Sequence, residues 1–330
     1  MDRAVASASP PGAAIEWPGL PVVVTGGAGF LGSVLVRLLR GAGANVVAPR
    51  RRDYDLTTMD AATRLLADTS PAVVFHLAAA VGGIGANRAN PGRFFYENMA
   101  MGLNVIEQAR RYRRLRKLIV VGTTCSYPGE APVPLREADL WEGYPEPTNA
   151  PYGVAKRALL VMAQGYRQQY GLQAIYLIPA NLYGPGDNFD PETSHVIPAL
   201  IKKCVDAVEQ GAAEITAWGD GSPTREFLYV DDAARGIMLG AERYDDPEPI
   251  NLGTGEEISI RDLLALIAEL TEFRGRIVWD RAMPGGQRRR RLDVSRARER
   301  LGFTAEVPLA KGLRETIAWY RATRAAPAST

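Results

Sequence analysis

The run Pro21-Val22-Val23-Val24-Thr25 passes without interruption into Gly26-Gly27-Ala28-Gly29-Phe30-Leu31-Gly32, and residues 31–42 then carry Leu31, Leu35, Leu38 and Leu39 at helical spacing. A buried strand, a tight turn and an amphipathic helix are the elements this order predicts. The glycines satisfy both G-x-G-x-x-G (Gly27, Gly29, Gly32) and G-x-x-G-x-x-G (Gly26, Gly29, Gly32). Without side chains, such a turn lets backbone N–H groups approach an anion at the positive end of the helix dipole. The bland alternative is a tight turn with no ligand, and its place in the first strand–helix unit of a sheet argues against that. Further units follow, with strands over 45–48, 72–77, 117–121 and 173–179 and helices over 60–68, 94–112 and 152–170. Apolar strands separated by helices predict a parallel sheet covered on both faces, which is the doubly wound α/β class.

At 330 residues the chain exceeds the roughly 250 to 300 at which one core stops growing, so a large domain with a smaller lobe is expected. We read 1–19 as a flexible tail and 20–180 as a Rossmann-type dinucleotide domain to which about 226–253 returns. Residues 181–225 and 254–323 form a smaller C-terminal substrate-binding lobe, and 324–330 a second tail. Lys and Arg number 39 against 37 Asp and Glu, a net charge of +2, too balanced for a nucleic-acid or polybasic membrane binder. The basic run RRYRRLRK at 110–117 has no aromatic platform beside it and reads as a solvated helix end. Two cysteines, Cys125 and Cys204, provide neither a disulfide framework nor metal-ligand spacing, and no apolar run reaches the roughly 18 to 20 residues that span a bilayer. A cytoplasmic protein with no metal site is the expectation.

The end of the second strand bears on the cofactor. Dinucleotides without a 2′-phosphate are usually held by an acid there, whereas this chain has Pro49-Arg50-Arg51-Arg52. Guanidinium groups suit a phosphate dianion, which favours NADP(H) over NAD. Asp53 and Asp55 could still reach a ribose or an adenine, so NAD stays possible.

Tyr152-Gly-Val-Ala-Lys156 sets a phenol and an ammonium four residues apart on one helix face. A phenol near its ordinary pKa of about 10 is a poor acid at neutrality, and a neighbouring cation favours its phenolate. Thr123, just past the strand 117–121, would bring a hydroxyl to the same sheet edge, where ligands of this fold class bind. TGGAGFLG, YGVAK and this strand-end hydroxyl together resemble the extended short-chain dehydrogenase/reductase superfamily. Longer strings narrow the resemblance: HLAAAVGGIGANR (76–88), GTTCSYPG (122–129), EPTNAPYGVAK (146–156), PANLYGPGDNF (179–189), SHVIPAL (194–200) and WGDGSPTREFLYVDD (218–232). Over nearly all of 20–320 they are similar to the GDP-L-fucose synthase family, NADPH-dependent 3,5-epimerases and 4-reductases of GDP-4-keto-6-deoxy-D-mannose.

The resemblance implies roles for particular residues. Thr123, Tyr152 and Lys156 would form the reductase triad, and Cys125 and His195 the acid/base pair of epimerisation. Protons on carbons 3 and 5 are acidified by the ketone between them. Inversion needs a base on one face and an acid on the other, roles that a thiol and an imidazole can exchange. The cofactor would lie against Gly26, Gly29, Phe30, Leu31, Gly32, Arg51, Asp55, Leu77, Ala78, Lys156, Pro179 and His195. The nucleotide sugar, GDP-linked by the resemblance, would meet Val81, Gly82, Gly83, Asn181, Lys203, Trp218, Arg225 and Asp280. Arg288–Arg291 could simply be solvated, His76 reads as structural, and Cys204 as packing. A homodimer through helices 94–112 and 152–170 is also implied. Two positions depart from the family: Thr123 replaces its usual Ser, and Met283 stands where many members carry Lys. An epimerase or 4-ketoreductase of another deoxysugar nucleotide is the alternative enzyme. A non-catalytic dinucleotide sensor is disfavoured because Tyr152 and Lys156 are both retained.

Overall fold

The computed structural model describes residues 15–282 and 287–325. In chain order the first half runs β1 (Pro21–Thr25), α1 (Phe30–Gly41), β2 (Asn45–Val47), α2 (Met59–Thr69), β3 (Val73–His76), α3 (Ile84–Ala89), α4 (Pro91–Arg111), β4 (Lys117–Val121), α5 (Ala150–Tyr170) and β5 (Ala174–Pro179). The second half runs β6 (Asn181–Tyr183), α6 (Val196–Gln210), β7 (Glu214–Trp218), β8 (Thr224–Arg225), β9 (Phe227–Tyr229), α7 (Val230–Arg243) and β10 (Ile250–Leu252). It continues with β11 (Ile258–Ser259), α8 (Ile260–Thr271), β12 (Arg276–Asp280), β13 (Arg289–Arg290), α9 (Ser295–Leu301) and α10 (Leu309–Ala325).

Six parallel strands make the main sheet in the order β10-β5-β4-β3-β1-β2. Every residue of β3, β4 and β5 is buried, as strands covered on both faces require. The chain steps from β1 to β2 on one side and then crosses to β3 on the other. The carboxyl ends of β1 and β3 therefore open the crevice where doubly wound sheets bind ligands. The doubly wound α/β fold expected from the sequence is present, with element boundaries within about three residues of those expected.

Beyond β5 the chain builds smaller sheets: β6 with β9, β7 with β12, and β8 between β11 and β13. Residues 227–252 lie partly against the main domain, with α7 packed on α1 and β10 added to the edge of β5. α6, α8 and α10 close a separate apolar core that includes Ile201, Cys204, Leu263, Ile267, Leu313 and Ile317, whereas α9 packs on α7 and β10. Cys204 is wholly enclosed there, and burial pushes its thiol up to about 11, as a packing residue should behave.

The ends of the described chain differ from the tails expected at 1–19 and 324–330. Trp17 is buried 6.1 Å from the Phe75 ring, and its indole N–H donates to Glu242 at 2.5 Å. Burying a ring of this size outweighs the conformational entropy lost in ordering the backbone beside it. Arg324 is likewise held, by Asp206 and Glu209.

Candidate active site

Gly26 leaves β1 with a φ of +71°, in the left-handed region, and a Cβ there would lie 2.8 Å from the Ala78 nitrogen. The turns after β1 and β3 are thus in backbone contact across the crevice. The N–H of Gly29 closes the turn onto the Gly26 carbonyl at 2.9 Å. α1 then starts with no side chain capping it and no acid in its first turn. The first N–H groups of a helix have no partner within it, so Phe30, Leu31 and Gly32 present donors suited to a diphosphate. Ala78 N–H is taken by the Thr25 hydroxyl at 3.3 Å, and Pro179 ends β5 within the sheet. Arg51 lies 3.6 Å from both Asp55 and Glu97, Arg52 lies 3.7 Å from Asp53, and Arg50 is exposed. Asp55 is held by the N–H and hydroxyl of Thr57, which keep its carboxyl below the usual range.

One strand farther along the sheet, β4 delivers the next group. Thr123 follows it in extended conformation, and its hydroxyl accepts the N–H of Cys125 at 3.2 Å within a short helical turn, Thr124–Ser126. α5 lies directly against this turn: the Ser126 hydroxyl donates to the Gly153 carbonyl at 3.0 Å, and a Cβ on Gly153 would collide with the Cys125 carbonyl. This glycine, inside the YGVAK string, brings Tyr152 up to Thr123, and the two side chains hydrogen-bond. Burial pushes the Tyr152 phenol well above its ordinary range, the charge of a Cys125 thiolate would push it further, and the Thr123 hydroxyl opposes both by favouring the phenolate. Substituting Gly153→Ala should separate α5 from the turn, costing about 1–3 kcal/mol by overpacking. The ketone reduction that the resemblance implies should fall further than melting temperature indicates; an unchanged kcat would show that the close approach is dispensable.

Lys156, one turn beyond Tyr152, is buried and donates to the Val121 carbonyl at 3.1 Å; burial lowers it to about 8. Lys117, at the other end of β4, is bonded to the Ala241 carbonyl at 2.7 Å and is lowered to about 8, also by burial. Unfolded lysine titrates near 10.4. Between pH 8 and about 10 the unfolded chain therefore holds protons that these two groups have released in the fold, and stability should rise with pH. Above about 10 the trend reverses, because tyrosines whose phenols burial pushes up ionise only on unfolding. The melting temperature of the cofactor-free protein should climb over that window, and Lys117→Met should remove part of the climb; a flat wild-type profile would contradict these assignments.

The second lobe supplies cations opposite Cys125. Arg290 approaches the Cys125 sulfur at 3.8 Å, while its other nitrogens are held by the Gln287 side-chain oxygen at 2.8 and 3.2 Å. Gln287 itself donates to the Gly129 carbonyl at 2.7 Å, linking the two lobes. Arg225 is lowered to about 10, by burial first, then by Arg290 beside it, with Cys125 acting in the opposite sense. Arg225 donates to the adjacent Thr224 carbonyl at 2.7 Å, and its guanidinium and that of Arg290 beside it carry charge that an anion would balance. Both strands are anchored beneath by Glu226, a buried carboxylate accepting N–H bonds from Thr254, Gly255 and Leu292 at 2.6–2.8 Å. In the sequence Arg290 is one of four consecutive arginines that could simply be solvated. The signal was strand alternation: Arg289 turns to Glu257 and Arg290 to Cys125.

His195 begins α6 in extended conformation. The residue is exposed, and the protein packed around its imidazole removes enough water to lower its pKa. The loop before it meets the wall that follows β3, where Gly83 donates to the Thr193 carbonyl at 3.0 Å and Val81 stands exposed. Asn181 bonds the Glu226 carbonyl at 2.9 Å. Lys203 donates to the Thr216 carbonyl at 2.7 Å, and Trp218, 56% exposed, pairs in register with Asp280. Lys203, Trp218 and Asp280 thus share one rim of the smaller lobe. Met283 lies outside the described residues. His76 is wholly buried, bonded through Nδ1 to the Thr25 hydroxyl at 2.9 Å and lowered to about 3 by burial, with Lys156 adding to the effect. Among the described residues no cluster of His, Cys, Asp or Glu could hold a metal ion, and no helix is long and apolar enough to cross a membrane.

Comparisons with known proteins agree with this arrangement. The NAD dependent epimerase/dehydratase family matches residues 22–253. GDP-L-fucose synthase 1 of Arabidopsis thaliana is 41% identical over 300 residues, covering 91% of this chain and 92% of that one. GDP-L-fucose synthase of Escherichia coli strain K12 is 39% identical over 310 residues, covering 91% and 96%. The crystal structure of a GDP-L-fucose synthetase from Naegleria fowleri bound to NADP superposes with a TM-score of 0.85 at 28% identity, covering 93% and 95%. With a family match over most of its length and relatives this similar from end to end, the chain belongs to the NAD dependent epimerase/dehydratase family, and within it to the GDP-L-fucose synthases.

Proposed function

We propose that this protein converts GDP-4-keto-6-deoxy-D-mannose to GDP-L-fucose by inverting carbons 3 and 5 and reducing carbon 4 with NADPH. The observation that carries the proposal is the convergence of Thr123, Cys125, Tyr152 and Lys156 at one carboxyl edge of the sheet, faced by Arg225 and Arg290. The crevice fits a dinucleotide: an uncapped helix start behind a turn where Cβ atoms on Gly26 or Gly32 would meet backbone supplies donors and room for a diphosphate. Gly26, Gly29, Phe30, Leu31 and Gly32 would hold that diphosphate, Leu77, Ala78 and Pro179 would line the crevice, and Arg51 and its neighbours would meet a 2′-phosphate. When bound, NADPH supplies the hydride for carbon 4.

The chain's own residues account for the proton movements. Cys125 and His195 remove and return protons at carbons 3 and 5 from opposite faces. Tyr152, kept protonated by burial, donates to the oxygen on carbon 4, and Thr123 and Lys156 stabilise the phenolate that results. A lysine lowered only to about 8 remains largely charged at neutrality, as this duty requires. Arg225 and Lys203 meet the GDP diphosphate, and Val81, Gly82, Asn181, Trp218 and Asp280 shape the sugar and base pockets. The division into a dinucleotide domain and a substrate lobe follows from the same assignment. Two free cysteines accord with a reducing, cytoplasmic setting. A homodimer would bury Phe95, Tyr96, Leu103 and Val161, which α4 and α5 leave exposed.

The test is direct. Purified protein given GDP-4-keto-6-deoxy-D-mannose should oxidise NADPH and, in heavy water, incorporate deuterium at carbons 3 and 5. Absence of NADPH oxidation with this ketosugar would overturn the proposal.

A further inference from the structure

We infer that Asn87 is a positioning residue for His195, acting through the single peptide plane that joins Gly82 to Gly83. The catalytic consequence rests on the acid/base role proposed above for His195; the geometric claim does not.

The loop ahead of His195 is organised by its own side chains. Asp190 accepts the N–H groups of Glu192 and Thr193 and the Thr193 hydroxyl at 3.0–3.1 Å, and Asn188 donates to that same hydroxyl at 2.8 Å. Its attachment to the opposite wall is made by backbone. Gly83 N–H donates to the Thr193 carbonyl at 3.0 Å, and the Ser194 hydroxyl beside it is buried without a partner. The Gly83 N–H shares a rigid amide plane with the Gly82 carbonyl. That carbonyl is gripped by the Asn87 side-chain amide at 2.8 Å, and the same nitrogen reaches the Gly83 carbonyl at 3.1 Å. Asn87 is 5% exposed, so solvent does not compete for these bonds. A plane fixed on its oxygen side by Asn87 therefore aims its N–H at Thr193, two residues before the imidazole.

Sterics tighten the arrangement. A Cβ on Gly83 would stand 2.5 Å from the Ser194 carbonyl oxygen, and one on Gly82 would stand 2.7 Å from the Ala86 Cβ. At Gly83 the two loops therefore approach more closely than a side chain permits, while Gly82 is packed as closely on the adjoining helix α3. Because the Gly83 N–H is engaged by Thr193, it is not available to a sugar, and Gly83 holds the His195 loop. Displacing a proton-transfer group by about 1 Å can cost on the order of 10²-fold in rate. A fixed plane matters most where the catalytic group begins a helix that is not otherwise capped.

The chain has only two histidines, which makes the claim measurable by imidazole NMR on the full-length protein. His76, sealed in the core, reports the fold, and His195 reports the loop. In Asn87→Ala the His195 signals should shift and broaden and its titration midpoint should rise toward the ordinary value, with His76 unchanged. Deuterium incorporation at carbons 3 and 5 should fall about 10- to 100-fold, while NADPH oxidation stays within about threefold. Gly83→Ala, read by NMR alone, should move His195 in the same way. Unchanged His195 signals in both variants, or equal loss of exchange and reduction in Asn87→Ala, would overturn the inference. If wild-type protein exchanges no substrate protons, the proposed function fails, and the NMR arm still decides the geometry.

Discussion

Cys125→Ser should go on oxidising NADPH in the presence of GDP-4-keto-6-deoxy-D-mannose while its exchange of carbon-bound protons with heavy water falls by about 10²- to 10⁴-fold. The substitution is nearly isosteric, and the contact that fixes this position, from the Cys125 backbone N–H to the Thr123 hydroxyl, is retained because it belongs to the main chain. What is lost is the thiol that the proposed mechanism sets against the substrate. A serine hydroxyl does not ionise near neutrality, so neither base nor conjugate acid is available on that face. Tyr152 and Lys156 are untouched, and hydride transfer should now yield alcohols with one or both carbons uninverted. NMR of the product sugar distinguishes the cases. Wild-type exchange in the serine variant would remove the thiol from the mechanism.

Tyr152→Phe should produce the complementary defect. Reduction should fall about 10³-fold, equivalent to roughly 4 kcal/mol, while deuterium continues to enter carbons 3 and 5. The phenol is buried beside Thr123, and its pKa is pushed up enough that it carries a proton at every working pH. Phenylalanine keeps the ring and its packing on α5, so the fold should persist with only the donor removed. Stopped-flow measurement of NADPH oxidation, set beside deuterium incorporation on the same sample, tests this. Equal loss of both activities would mean that the phenol orders the whole site instead of serving carbon 4.

Much of this was legible along the chain because the relevant signals are local. Strand and helix periodicity located β1 through β5 and the helices α1, α2, α4 and α5 within a few residues, since a strand buried on both faces must be apolar throughout, whereas the short α3 carries no such signal. The glycine turn and the four-residue spacing of Tyr152 and Lys156 are likewise properties of a single strand–helix unit or a single helix. Other residues could not be read this way. Arg290 looks like one more arginine in a solvated run until β13 pairs with β8 and alternation turns it toward Cys125. Trp17 lies in a lead-in rich in Ala, Pro and Ser, and only the nearness of Phe75 and Glu242 shows why it is buried. Asn87 follows two glycines that suggest a ligand loop, and its partner segment is about a hundred residues away.

The amino-acid sequence alone determined that the chain forms a parallel doubly wound sheet with a glycine turn ahead of α1 and a phenol–ammonium pair, because each of these is encoded in neighbouring residues by size, periodicity and backbone freedom. Tertiary structure alone decided which of the remaining charged and polar residues face the cleft. Arg225 and Arg290 come to lie beside Cys125, and Thr193 comes to accept the Gly83 N–H, through contacts between segments brought together only when the two lobes pack. Burial then sets their chemistry. Lys156, His195 and Tyr152 are displaced from their ordinary pKa values by the loss of water around them, which no stretch of sequence specifies in isolation.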